Sequence, residues 1–124
     1  MSSGTDAIRR IVKGWPTLSV EEWREVCTPD VKYQNMPWSK VVTEGPEGIH
    51  RVLADIAAKF DVTMDIEAIG VDGQTAFSER TEHFSPKAGH EGKSFDLPVL
   101  GVFELSEGKV SAWRDYFDRR SMKA

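Results

Sequence analysis

Between residues 61 and 118 the chain is written largely in a period of two, and this alternation narrows the folds open to it. Val62, Met64, Ile66 and Ala68 alternate with polar residues up to Gly70, the pattern of a strand with one face buried. After the turn dipeptide Asp72-Gly73 comes QTAFSERTEHF, residues 74–84, which reads as a second long strand. Residues two apart on a strand share a face, so Ser78, Arg80, Glu82 and Phe84 point one way. Phe77, Glu79, Thr81 and His83 point the other. Residues 85–93, SPKAGHEGK, have the composition of a loop. Residues 94–105 are apolar on both faces, which predicts a central strand. Ser106-Glu107-Gly108 turns the chain, and 109–118 returns with Ser111, Trp113, Asp115 and Phe117 on one face. Four such strands in succession predict an antiparallel run.

The first half has a different period. Ile8, Ile11 and Val12 are spaced for a helix over 6–14 that stops at Gly14, and Trp15-Pro16 breaks it. Ser19 and Glu22 have capping-box spacing, opening a second helix that turns Val20, Trp23 and Cys27 (or Val26) inward until Thr28-Pro29-Asp30. A short strand over 31–35 puts Val31, Tyr33 and Asn35 on one face, and Pro37 stops it. After the turn at 45–48, Ile49, Val52, Leu53, Ile56 and Phe60 form one apolar helical stripe. Helices segregated from strands mean α+β. The expected architecture is a curved, mixed but mostly antiparallel sheet wrapped on three helices of the N-terminal half, with a deep apolar pocket between the layers. It is one domain over 1–124, with 1–4 and 120–124 expected to be loose.

Composition removes several function classes. A net charge of −4 argues against a nucleic-acid groove, which needs a basic stripe. No apolar run approaches membrane length, and Met1-Ser2-Ser3-Gly4 does not open a signal peptide, so no membrane association is expected. The single cysteine, Cys27, cannot form an internal disulfide, which fits a reducing cytoplasm. It has no histidine near it in sequence and reads as a buried residue rather than a nucleophile. His83 lies beside Glu82 but on the opposite strand face; His50 is on a polar helix side and His90 in a loop. No metal site is expected from these spacings.

The chemistry-bearing residues share faces with apolar ones. Asp115 sits between Trp113 and Phe117, unusual flanks for a solvent-facing aspartate. A carboxylate buried there needs a partner, and Arg80 carries a planar fork that can hold two carboxylates. Glu82 and Asp115 both ionised around one arginine would leave net negative charge out of water, so the pair favours keeping one proton. One group can then donate a proton while the other accepts one. Tyr33 and Asn35 add groups suited to fixing a water. Arg–carboxylate pairs on strands also occur as solvent-facing ladders, and spacing alone leaves both readings open.

VKYQNMPW, SERTEHF and LPVLGVFELSEGKVSAWRDYFD resemble the limonene-1,2-epoxide hydrolase family, over most of residues 31–120. The resemblance implies a six-stranded curved sheet with helices at its mouth, the cone shared with ketosteroid isomerases and some polyketide cyclases. It implies a cytoplasmic homodimer without metal or organic cofactor that opens a small apolar epoxide to a vicinal diol with water. By the same resemblance Asp115 takes a proton from the attacking water, Tyr33 and Asn35 position that water, and Arg80 bridges the two acids. Glu82 stands where the family has the aspartic acid that protonates the epoxide oxygen, a departure of one methylene. Strand phase offers Met64, Phe84, Leu97, Val99, Trp113 and Phe117 as pocket walls for the substrate. Two other readings use the same residues: an isomerase or cyclase of ketosteroid type, and a non-catalytic ligand-binding module.

Overall fold

The computed structural model describes residues 3–123. Its elements run α1 (Ser3–Gly14), α2 (Val20–Val26), β1 (Cys27–Asn35), β2 (Thr43–Glu44), α3 (Gly45–Lys59), β3 (Phe60–Asp72), β4 (Thr75–Pro86), β5 (Phe95–Ser106) and β6 (Lys109–Tyr116). Short 3₁₀ turns occupy Met36–Trp38 and Arg119–Lys123. The six strands form one sheet in the order β2-β1-β6-β5-β4-β3. β3 to β6 pair antiparallel in succession, and β1 joins β6 in parallel. The α+β mixed sheet expected from the sequence is therefore present, with β2 and both 3₁₀ turns as additions.

Local chemistry explains where the elements begin. Ser19 caps α2 with both bonds of the capping box: its hydroxyl accepts from the Glu22 N–H at 3.2 Å, and Glu22 accepts from the Ser19 N–H at 2.9 Å. Pro46 stands in the first turn of α3, where a missing N–H costs nothing. The β5–β6 hairpin turns on Glu107 and Gly108, both at positive φ, as a tight two-residue loop requires.

Four boundaries differ from the sequence reading. Thr28-Pro29-Asp30 does not separate helix from strand: β1 begins at Cys27, directly after α2. The ladder to β6 is interrupted between Cys27 and Lys32, which accommodates a proline that cannot donate to it. In β3 a bulge between Ile66 and Ala68 shifts the phase, so Ala68 faces solvent and Ile69 packs on the core. A second irregularity, where Leu105 pairs with Val110, buries Val110 in place of Ser111. Of the ends expected to be loose, Ser3 and Gly4 belong to α1 and 120–123 to a 3₁₀ turn, while Met1, Ser2 and Ala124 lie outside the described residues. Phe60 ends the stripe of α3 as the first residue of β3.

The core lies between the concave side of the sheet and the helices. Ile8, Ile11 and Val12 of α1, Trp23 and Val26 of α2, and Ile49 and Leu53 of α3 meet Val31, Phe103, Val110 and Trp113 of the sheet. Trp113 is the hub. Its ring stacks on Phe103 at 5.6 Å and Trp23 at 6.1 Å, and lies 4.3 Å from Tyr33. Large aromatics at such separations contribute about 0.5–1.5 kcal/mol per pair beyond burial.

Candidate active site

On β4, Ser78, Arg80, Glu82 and Phe84 are all buried, and Phe77 and Glu79 are exposed, as the alternation requires. The solvent-ladder reading of Arg80 is thereby excluded: its side chain is fully buried. β5 pairs with both β4 and β6, placing Gly101 opposite Ser78 on one side and Asp115 on the other. A side chain reaching from β4 to β6 must therefore cross over β5. Arg80 makes that crossing. Its Nε donates to Glu82 Oε2 at 2.9 Å, and its Nη2 donates to Asp115 Oδ2 at 2.8 Å.

Gly101 makes the crossing possible. A Cβ there would stand 2.9 Å from Arg80 Nη1 and 3.0 Å from Asp115 Oδ1. The glycine serves close approach rather than a special backbone angle.

Both acids have further donors. Trp113 Nε1 donates to Asp115 Oδ1 at 2.7 Å, and Trp15 Nε1 donates to Glu82 Oε2 at 3.0 Å. Burial raises the Glu82 pKa; the charge of Arg80 opposes this and that of Asp115 adds to it. The guanidinium stays charged, because the two carboxyls outweigh the cost of its burial. With Glu82 protonated and Asp115 ionised the three side chains would carry no net charge, whereas two ionised carboxyls would leave one negative charge out of water.

Tyr33 and Asn35 reach the same place from β1, where they pair with Trp113 and Asp115 of β6. Tyr33 Oη donates to Asn35 Oδ1 at 3.2 Å. Burial, and next the charge of Asp115, raise the tyrosine pKa, so the phenol remains a donor. The Asn35 amide N–H groups are left to face a ligand or water.

Four of these residues line a cavity of about 330 Å³. Tyr33, Asn35, Glu82 and Asp115 are the polar residues of its lining, and Phe84, Leu97, Val99, Trp113 and Phe117 are among its apolar walls. Met64, offered by strand phase, is absent from the lining. It pairs with Glu82 on the edge strand β3 and is packed against the core instead. Sequence reasoning missed Trp15, Trp38, Leu53, Ile56, Phe60, Phe95 and Met122. Leu53, Ile56 and Phe60 were already on the apolar stripe of α3, so only their role was hidden. Trp15 and Trp38 lie in turns, where no strand or helix period could assign them a face, and Met122 lay in a segment expected to be loose.

Other candidates fall away from this place. His83 is on the convex side, with Nδ1 2.6 Å from Asp96 and Nε2 2.8 Å from Asp65. Its two aspartates sit on opposite ring nitrogens and do not converge on one point. Cys27 is buried, and burial pushes its thiol up to about 12, far from a nucleophile's range.

A curved sheet packed on helices around a mostly apolar cavity, with a buried arginine joining two carboxyls of its lining, defines a class of small α+β domains. A model of the limonene-1,2-epoxide hydrolase catalytic domain matches residues 5–124, and the chain belongs to that family. Epoxide hydrolase EphG of Mycobacterium tuberculosis is 30% identical over 91 residues, 72% of this chain and 56% of that protein. The match therefore spans little more than half of that relative. Among solved structures, a limonene-epoxide-hydrolase-like epoxide hydrolase of M. tuberculosis superposes with a TM-score of 0.79 at 22% identity, over 97% of this chain and 86% of the other. A protein described as a SnoaL-like polyketide cyclase from Jannaschia sp. CCS1 gives 0.81 at 19%, over 98% and 92%. One with a ketosteroid isomerase-like fold from Catenulispora acidiphila gives 0.80 at 15%, over 94% and 88%. At these identities the structural likenesses establish the fold alone.

Proposed function

We propose that the chain is an epoxide hydrolase that works without a cofactor and converts a small apolar epoxide to a vicinal diol in one step. The observation that carries this reading is Arg80 holding together Glu82 and Asp115, which both line a cavity with otherwise mostly apolar walls. Water is a poor nucleophile and an epoxide oxygen a poor leaving group, so a concerted push and pull avoids both hydroxide and free alkoxide. Asp115, as the carboxylate, takes one proton from a water held by Tyr33 and Asn35. The water oxygen bonds to a ring carbon as the carbon–oxygen bond on that carbon breaks. Glu82, as the acid, delivers its proton to the departing ring oxygen. Return of the proton from Asp115 to Glu82 through solvent closes the cycle, with water as the sole co-reactant.

The raised pKa of Glu82 supports its part as the acid, since burial favours its protonated form over the charged one. Tyr33, raised likewise, serves as a fixed donor rather than a base. The cavity walls suit an apolar ring or chain beside the epoxide. From the family resemblance we carry forward a homodimer acting in the cytoplasm. Among the described residues no helix is long and apolar enough to cross a membrane.

The test is a panel of apolar epoxides offered in ¹⁸O-labelled water. Hydrolysis puts one solvent oxygen into each diol. The second reading, suggested by the shared fold with isomerase and cyclase domains, has a carboxylate abstract a carbon-bound proton; that chemistry exchanges hydrogen and leaves the label in solvent. A binding module turns over nothing.

A further inference from the structure

The two hydrogen bonds that the described residues give Glu82 both end on one oxygen. Arg80 Nε reaches Oε2 at 2.9 Å, and Trp15 Nε1 reaches the same atom at 3.0 Å. A carboxyl oxygen offers two lone-pair sites, so two N–H donors fill Oε2. We infer that Trp15 is a positioning residue for the acid: together with Arg80 it occupies Oε2 and so assigns the deliverable proton of Glu82 to Oε1. The inference deepens the hydrolase reading and rests on it for its catalytic consequence, but the contact itself does not.

The surroundings favour this part over simple packing. Trp15 is buried in the turn that follows α1, its own N–H bonded to the Ile11 carbonyl at 2.9 Å and its ring 6.4 Å from Phe84. The indole is thus anchored to the helix layer at its backbone and to β4 through its ring. Its N–H points at a carboxyl 67 residues away in sequence. Glu82 and Trp15 both line the cavity, so a carboxyl free to rotate there can present either oxygen to a substrate. Two donors on one oxygen remove that freedom, and with it the fraction of encounters in which the proton faces away from the epoxide. The same N–H also steadies the ionised form, so its loss raises the pKa of Glu82 further.

The test uses Trp15→Phe and, should that variant fold poorly, the chain carrying 3-benzothienylalanine at position 15, which keeps the bicyclic shape and replaces N–H by sulfur. Two readouts are taken. The first is the titration of the Glu82 side-chain carbon by ¹³C NMR, assigned by its disappearance in Glu82→Gln. The second is kcat and KM against pH for whichever epoxide the panel identifies. The expected result is a titration midpoint moved to higher pH. The alkaline limb of kcat should move with it, kcat should fall by about tenfold and KM should change little. An unchanged midpoint and an unmoved limb in a folded variant, with only Tm lowered, would overturn the inference and leave Trp15 as packing. A moved midpoint in a protein that opens no epoxide would uphold the Trp15 contact and count against the hydrolase reading alone.

Discussion

Glu82 stands where the resemblance drawn from the sequence leads one to expect an aspartic acid, and the structure gives the extra methylene a use. Oε2 is held between Arg80 Nε and Trp15 Nε1. Shortening the side chain withdraws the carboxyl by about 1.5 Å, one carbon–carbon bond, more than a 3.0 Å hydrogen bond tolerates. Glu82→Asp is therefore expected to lower kcat on the order of a hundredfold, measured on the best epoxide of the panel. Equal or higher activity would show that the acid is not held as described. At this scale the sequence was half legible. Arg80, Glu82 and Asp115 could be placed on inward faces because strand alternation is strict and Asp115 is flanked by aromatics. Trp15 could not be found, because nothing local links a tryptophan in a turn to a carboxyl on a strand far along the chain.

Among the elements, β5 decides whether the carboxyl pair exists, since Arg80 reaches across it. Gly101→Ala places a methyl at 2.9 Å from Arg80 Nη1 and 3.0 Å from Asp115 Oδ1. Such overpacking costs about 1–3 kcal/mol. The expected outcome is a lowered Tm with a larger proportional fall in kcat, read by calorimetry and turnover on the same preparation. On the convex side, His83 clasps β3 and β5 to β4 through Asp65 and Asp96. Its pKa is raised, first by the Asp96 hydrogen bond and then by that to Asp65. A histidine whose folded value lies above its unfolded 6.5 lends stability that is full below 6.5 and fades as pH rises through the folded value. Tm of the parent should thus decline over that window more steeply than Tm of His83→Gln; parallel curves would count against the clasp. The strands and helices were legible from their periods, but the bulges were not. Ala68 and Ser111 were placed inward by extending a period of two past irregularities that hydrogen-bond register, not composition, creates.

For the whole molecule, the convex face of the sheet carries the apolar outer half of β5 into solvent. Leu100 is 45% exposed, its neighbour Tyr116 on β6 is 42%, and Phe77 on β4 is 38%. The sequence showed β5 apolar on both faces but not that, among the described residues, its outer face is left exposed. If the proposed homodimer forms, we propose this exposed apolar patch as its contact. Leu100→Glu is expected to shift the chain to monomers in sedimentation analysis while leaving its fold intact; an unchanged mass would place any dimer contact elsewhere. The cavity faces the other way, so pairing through this side leaves its lining untouched. In the proposed reaction Asp115 removes a proton from water as Glu82 gives one up. The most direct measurement is the single-turnover rate of ¹⁸O-labelled diol formation by Asp115→Asn, an amide of nearly the same shape that cannot accept the proton. A fall of at least about a hundredfold is expected, the usual worth of a positioned base, with the substrate still bound. Diol formed at the parent rate would contradict the account.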